Sequence, residues 1–198
     1  MRKPSVDELN LMKKTVDAVY LLSDEDWAGF SGAWHKITLK KNQTITVAGN
    51  VERYLYFILE GVQRIFFLDE KDREATLLFT YAPSFGGVID SMFLQQPSRY
   101  YFETLSASVL LAMPFDKLCD LIKGSAAINS FIARSLTISL SGLLERMTEL
   151  QVFSSEEKFQ KLLQRSPHIL QLVPQKYLAN YIGIDPTNFS KLMNRLRI

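Results

Sequence analysis

The sequence predicts an α+β fold in three consecutive parts, which are a β jelly roll, one long helix and a helix-turn-helix. From about residue 33 to residue 113, short apolar segments alternate with turn residues, as is typical of a β sandwich or barrel. From residue 123 to residue 153 the apolar period becomes helical, and no proline interrupts it. A short helix, a glycine and a basic helix follow near the end of the 198-residue sequence.

Two helices are predicted before the barrel. The first has apolar residues at spacings of three and four, namely Leu9, Met12, Val16 and Val19. The second begins at Ser23, because a serine followed by the acidic residues 24–26 is a suitable N-cap, and it carries Trp27 and Phe30.

Seven segments of the barrel alternate in polarity or are rich in β-branched and aromatic residues. They are residues 33–41, 44–47, 54–59, 64–68, 75–81, 100–105 and 109–113. Turns are predicted at residues 48–50 and at Gly61, and the polar run 69–72 is predicted to form a hairpin tip. After residue 114 the pattern becomes helical again.

The long helix carries an apolar stripe that a small barrel cannot cover. Its members are Ile128, Ile132, Leu136, Leu140, Leu143, Leu144, Met147 and Leu150. A helix of about 27 residues spans roughly 40 Å, which exceeds the diameter of a small domain. We therefore expect a homodimer, with an interface at Ile128, Ile132, Leu136, Leu140, Leu143 and Met147. The alternative is a helix that packs wholly on its own chain.

The segment from residue 173 to residue 196 has the pattern of a helix-turn-helix. Residues 175–181 form a short predicted helix, Gly183 supplies the turn, and Asp185 is a suitable N-cap for a second helix with Pro186 in its first position. The second helix has an apolar face made of Phe189, Leu192, Met193 and Leu196. An ordinary helical hairpin can show the same spacing.

The other face of the second helix is polar and basic, which indicates contact with duplex DNA. We expect base contacts from Thr187, Asn188 and Lys191, phosphate contacts from Ser190, Arg195 and Arg197, and a further contact from Asn194. The charge distribution agrees, because residues 154–198 carry a net charge of +4 and residues 1–153 carry −2.

The composition excludes several kinds of site. The only cysteine is Cys119 and the only histidines are His35 and His168, so a disulfide framework, a thiolate zinc site and an iron–sulfur cluster are not expected. A metal enzyme of the cupin type needs a cluster of histidine and acidic ligands, and a Gly-x-Ser-x-Gly nucleophile motif is absent. We expect no enzyme activity, metal or cofactor. No apolar run approaches the roughly 20 residues of a membrane span, so the cytoplasm is the expected location.

Three motifs of the barrel resemble the cyclic-nucleotide-binding fold of the Crp/Fnr family. They are Tyr54-Leu55-Tyr56-Phe57-Ile58-Leu59-Glu60-Gly61, Phe85-Gly86-Gly87 and Pro97-Ser98-Arg99. The resemblance covers roughly residues 20–196. It implies a sensor domain at 1–122, a dimerisation helix at 123–153 and a winged-helix-like DNA-binding domain at 154–198. Because no residues follow Ile198, we expect that domain to lack a full wing. It also implies a transcription regulator that binds a near-palindromic DNA site and contacts RNA polymerase.

The motif that holds cyclic AMP in the family is changed in this sequence. Gly86-Gly87 stands where the family has Gly-Glu, so the carboxylate that binds the ribose hydroxyl is missing, at a cost of about 1–3 kcal/mol. Arg99-Tyr100-Tyr101 stands where the family has Arg-Ser-Ala. We expect an effector pocket at Gly86, Gly87, Arg99, Tyr100 and Tyr101 that takes a small effector other than cyclic AMP, or none.

The predicted recognition helix also departs from the family. Residues 186–191 read Pro-Thr-Asn-Phe-Ser-Lys, where many members read guanine with Arg-Glu-x-x-x-Arg, so the DNA target sequence does not carry over. The alternative function is therefore an effector-sensing or protein-interaction module with degenerate DNA binding. A steep salt dependence of DNA binding would distinguish the two functions.

Overall fold

The computed structural model of the chain describes residues 2–195, so the contributions predicted for Leu196 and Arg197 lie outside the described residues. The helices are α1 Val6–Asp17, α2 Asp24–Gly32, α3 Ile89–Leu94, α4 Phe115–Gly124, α5 Ala126–Val152, α6 Ser155–Arg165, α7 Ile169–Leu172, α8 Gln175–Tyr181 and α9 Pro186–Arg195. The strands are β1 His35–Leu39, β2 Thr44–Thr46, β3 Tyr54–Glu60, β4 Val62–Leu68, β5 Glu74–Tyr81, β6 Ser84–Gly86, β7 Tyr101–Thr104 and β8 Ser108–Pro114.

The strands form two four-stranded sheets, in the orders β1-β8-β3-β6 and β2-β7-β4-β5. In the first sheet β8 pairs antiparallel with both β1 and β3, which places Phe57 opposite Leu111. The predicted α+β jelly roll is confirmed. The short elements β6, α3 and α7 were not predicted, because three to six residues are too few for a periodic pattern.

The two faces of strand β3 pack against different parts of the fold, because successive side chains of a strand point to opposite faces. Leu55 and Phe57 join the core that also contains Phe30 and Phe131, and the rings of Phe30 and Phe131 meet edge to face at 5.7 Å. Tyr56 lies on the opposite face of the strand, where its ring is 5.8 Å from that of Phe102 in the second sheet.

The chain divides into two compact units. The first consists of Met1–Ile65 and Phe79–Ile138, and the second of Phe66–Leu78 and Ser139–Ile198. The end of the β4–β5 hairpin therefore groups with the C-terminal helices. Helix α5 is shared between the units, and the domain boundaries at residues 123 and 154 stay predictions.

Helix α5 is more apolar than its sequence pattern indicated. It is the one helix within residues 2–195 that is long and apolar enough to cross a bilayer, and most of its apolar part is not buried. Length and composition alone are weak evidence for a membrane span. The helix begins after Ser125, whose hydroxyl accepts a hydrogen bond from the backbone N–H of Ile128 at 3.1 Å.

Candidate DNA-binding surface and effector pocket

Helices α8 and α9 are joined by a tight turn at residues 182–185. Gly183 has a φ of +65°, which favours glycine. Its N–H donates to the carbonyl oxygen of Asn180 at 3.1 Å, and the N–H of Ile184 donates to that of Ala179 at 3.0 Å. A Cβ on Gly183 would lie 3.3 Å from Cδ2 of Leu150. The turn therefore requires glycine for its backbone conformation and leaves little space for a side chain.

The start of α9 is capped as the sequence predicts. The Oδ1 atom of Asp185 accepts a hydrogen bond from the backbone N–H of Thr187 at 2.7 Å. This backbone hydrogen bond is the largest cause that lowers the pKa of Asp185, and the charge of Lys191 lowers it further.

Helix α9 has one buried and one exposed face. Phe189 and Leu192 are buried, and the ring of Phe189 meets that of Phe159 in α6 edge to face at 5.1 Å. Five of the predicted DNA-binding residues are exposed, namely Thr187, Ser190, Lys191, Asn194 and Arg195. Asn188 is half-buried, so it presents less surface than the other five. The structure thus brings the predicted residues together on one short helix.

A network around Arg146 holds α8 on the C-terminal half of α5. The guanidinium donates to the carbonyl oxygen of Tyr181 and stacks on its ring, 3.9 Å from the ring centroid. Arg146 also lies 3.5 Å from the carboxylate of Glu149, which accepts a further hydrogen bond from Arg165. Sequence reasoning missed this network, because Arg146 reads as one more charge on an amphipathic helix.

The apolar stripe of α5 is buried at its beginning and exposed further along. Ile128 and Ile132 are 1% and 8% exposed and belong to the core of their own chain. Their predicted place in a dimer interface is therefore corrected, because they have almost no surface to offer. The other four predicted interface residues are between 40% and 57% exposed: Leu136, Leu140, Leu143 and Met147. Leu144 and Leu150 are exposed as well.

The five residues predicted for the effector pocket lie in different surroundings, and the pocket stays a prediction. Gly86 is buried, and a Cβ there would lie 3.1 Å from Cδ1 of Ile58. Gly87, with a φ of +123°, lies against β3, since a Cβ there would be 3.2 Å from the carbonyl oxygen of Tyr54. Arg99 is exposed, and Tyr100 and Tyr101 are half-buried.

A cleft of about 390 Å³ lies instead beside β2 and the start of β3. Its lining residues are Ile45, Thr46, Val47, Asn50, Val51, Glu52, Arg53, Tyr54 and Tyr56. None of the five predicted pocket residues is among them.

The carboxylate of Glu52 is the buried charge of this cleft and is only 3% exposed. Its Oε1 atom accepts hydrogen bonds from the backbone N–H groups of Arg53 and Tyr54, at 2.9 and 3.1 Å, and from the Tyr56 hydroxyl at 3.3 Å. The Thr46 hydroxyl donates to Oε2. Burial raises the pKa of the Tyr56 phenol, with the nearby Glu52 charge as the next cause. Sequence reasoning missed Glu52, since one acidic residue before a strand carries no signal of burial.

The histidines and the cysteine do not form a metal site. Within residues 2–195, no group of three or more His, Cys, Asp and Glu side chains is placed to hold a metal ion. Burial lowers the pKa of His35.

Comparison with known proteins agrees with this architecture. Residues 36–125 match the cyclic nucleotide-binding domain family. No curated protein matches the sequence.

Several solved structures share the fold over most of their length. FixK2 from Bradyrhizobium japonicum has 14% sequence identity and a TM-score of 0.74, with 83% of this chain and 84% of FixK2 covered. A transcriptional regulator of the Crp/Fnr family from Eubacterium rectale has 15% identity and a TM-score of 0.69, with 89% and 84% covered. CLP, a c-di-GMP-responsive global regulator from Xanthomonas campestris, has 16% identity and a TM-score of 0.61, with 88% and 92% covered.

Proposed function

Because this chain has the fold of the Crp/Fnr family and a cyclic nucleotide-binding domain at residues 36–125, we propose that it is a transcription regulator that binds duplex DNA through helix α9. The observation that carries the proposal is the exposed polar face of α9, which follows a tight glycine turn and a capped start. In this motif the N-terminal part of the second helix meets base edges in the major groove, while cations near the helix contact phosphates.

The proposed active form is a homodimer assembled along helix α5. The exposed leucines and Met147 form a continuous apolar strip on that helix, and a second copy of the chain would bury it. A dimer presents two α9 helices, so each half of a near-palindromic site receives one. RNA polymerase is a further proposed partner, and the proposed location is the cytoplasm.

The test is DNA binding measured over a range of salt concentrations. Duplexes selected from a random library serve as probes, and Lys191→Ala and Arg195→Ala are compared with the wild type. If Arg195 contacts a phosphate, its loss lowers the salt slope by about one per protomer, and so by about two for the dimer. The loss of a base contact at Lys191 costs about 1–3 kcal/mol of discrimination between sequences.

Lys14→Ala is the matched control, since Lys14 is an exposed lysine on helix α1. Its affinity and salt slope are expected to equal those of the wild type. If the wild type binds no duplex at low salt, the DNA-binding proposal fails and a protein-interaction module with degenerate DNA binding takes its place. Equal losses in Lys14→Ala and Arg195→Ala would show only nonspecific attraction to the charged chain.

We further propose that the sensor domain responds to a small effector other than cyclic AMP. The match of residues 36–125 to the cyclic nucleotide-binding domain family supports an effector, and Gly87, which offers no carboxylate for a ribose, argues against cyclic AMP. Isothermal titration with cyclic AMP is expected to show no binding at about millimolar ligand, equivalent to less than about 4 kcal/mol. Cyclic di-GMP is the second probe, because CLP responds to it. Micromolar affinity for cyclic AMP would contradict the proposal.

A further inference from the structure

Strand β5 stands last in the sheet order β2-β7-β4-β5 among the described strands, so one of its edges faces away from β4. An edge of this kind presents backbone N–H and C=O groups in a row, and proteins often cover it. On β5 the side chain of Asn180, from helix α8, lies at this position. Its Nδ2 atom donates a hydrogen bond to the carbonyl oxygen of Glu74 at 2.7 Å. Its Oδ1 atom accepts one from the backbone N–H of Thr76.

The two hydrogen bonds match the pattern of a paired strand. A side-chain amide has the same donor and acceptor as a peptide group, and the carbonyl of Glu74 and the N–H of Thr76 flank one residue, as in a β ladder. Thr76 is only 4% exposed, so this contact is shielded from water. Asn180 therefore substitutes for one residue of an additional strand.

Asn180 also takes part in the turn that orients α9. Its own carbonyl oxygen accepts the hydrogen bond from the N–H of Gly183 at 3.1 Å. The same residue thus contacts the hairpin through its side chain and the helix-turn-helix turn through its backbone. Residues 66–78 of the hairpin and residues 139–198 belong to one compact unit, and strands β4 and β5 continue the hairpin into the second sheet.

We propose that Asn180 is a positioning residue that makes the end of the β4–β5 hairpin and the α8–α9 turn one cooperative unit. A displacement of the hairpin end then changes the placement of α9. The consequence for DNA affinity rests on the proposed function, whereas the cooperative unit is a property of the free protein.

The first experiment uses the full-length wild-type protein without DNA. Native-state amide hydrogen exchange is measured at rising, sub-denaturing guanidinium concentrations. For each amide, exchange gives a free energy of opening at every guanidinium concentration. These free energies are expected to merge into one curve for the N–H groups of Thr76, Gly183 and Ile184, because a cooperative unit opens as a whole. Separate opening curves that do not converge would overturn the proposal.

The second experiment compares Asn180→Asp and Asn180→Leu with the wild type. Asp cannot donate to the carbonyl of Glu74, and Leu removes both hydrogen bonds at similar volume. Exchange at Thr76 is expected to become about tenfold faster, as expected for a lost hydrogen bond. Asn10→Asp on α1, where Asn10 is exposed, is the matched control and is expected to leave exchange at Thr76 unchanged.

DNA affinity is then measured for the same variants, and each result has a separate meaning. Faster exchange at Thr76 with a DNA affinity about fivefold or more weaker supports the coupling of hairpin and α9. Faster exchange with wild-type affinity overturns that coupling. Unchanged exchange at Thr76 in Asn180→Leu overturns the positioning role. A wild type that binds no DNA fails the proposed function alone, since the exchange results still decide whether the cooperative unit exists.

Discussion

Gly61 is the residue at which the barrel tolerates a side chain least. It has a φ of +86°, and a Cβ there would lie 2.5 Å from the carbonyl oxygen of Ala107 and 2.9 Å from Cα of Ser108. Both contacts involve backbone, which cannot rotate away as a flexible side chain can.

We therefore expect Gly61→Ala to reduce the free energy of unfolding by about 2–4 kcal/mol, measured by urea denaturation. Gly142→Ala is the control, because Gly142 lies within helix α5 with nothing within 4 Å of an added Cβ. Its free energy of unfolding should rise by about 0.5–1 kcal/mol, the usual gain from glycine to alanine in a helix. A stable Gly61→Ala would contradict the tight turn between β3 and β4.

Asp185 gives the start of α9 a dependence on pH. Its folded pKa is lowered, first by the backbone N–H of Thr187. A lowered folded pKa means that the carboxylate contributes stability at pH values above its unfolded pKa near 3.9, and that this contribution is lost as the pH falls through the folded pKa.

The NMR chemical shift of the Thr187 backbone amide is expected to change as the wild type is acidified below about pH 4. Asp185→Asn keeps an acceptor for the N-cap hydrogen bond but has no carboxyl group to protonate. Its Thr187 amide is expected to show no such transition. A transition of equal size in both proteins would assign the change to other acidic groups.

Helix α5 shows how one element can serve two environments. At its beginning, Ile128 and Phe131 are buried in the core of the first unit. Further along, the same apolar period continues on side chains that are about half exposed, such as Leu140 at 57%. An apolar strip of this length on a water-exposed helix favours association.

If the proposed dimer forms, we expect Leu140→Glu to convert it to a monomer at micromolar concentration, because the dimer would bury two carboxylates in its apolar interface. Sedimentation velocity measures this directly. Leu94→Glu is the matched control, since Leu94 is 65% exposed at the end of α3, and it is expected to sediment as the wild type. A monomeric wild type would remove the dimer proposal. Partition of the wild type into phospholipid vesicles would instead indicate that α5 associates with a membrane.

At the scale of the whole molecule, the expected symmetry of the protein determines the form of its DNA site. Two recognition helices in a two-fold dimer lie about one turn of DNA apart, roughly 34 Å. Sequences selected from a random library are therefore expected to be near-palindromic, with half-site centres about 10 base pairs apart. Enrichment of a single asymmetric half-site would contradict binding as a symmetric dimer.

The features that the sequence predicted correctly are those that depend on neighbouring residues in the chain. Strands and helices with a clear period of two or about 3.6 were predicted well, because periodic burial is written directly into the order of residues. The cap at Asp185 and the glycine turn at Gly183 were also predicted, since both depend on local backbone geometry.

The features that the sequence left unpredicted or open depend on how side chains pack in three dimensions. Glu52 accepts hydrogen bonds from Thr46 and Tyr56, which are only six and four positions away, yet no periodic pattern in the sequence indicates that its carboxylate is buried. Gly86 and Arg99 were assigned to one pocket from their order in a motif, Gly86 is packed against β3 and Arg99 is exposed, and the pocket stays a prediction.

The sequence by itself determined the α+β jelly roll, the order of barrel, long helix and helix-turn-helix, and the face of α9 that is exposed, because each follows from local periodicity, capping and turn chemistry. Only the tertiary structure decided which part of the α5 stripe is core, that Arg146 stacks on Tyr181, and that Asn180 completes the edge of β5. These contacts join residues up to 106 positions apart, and such pairing is decided by how whole elements pack.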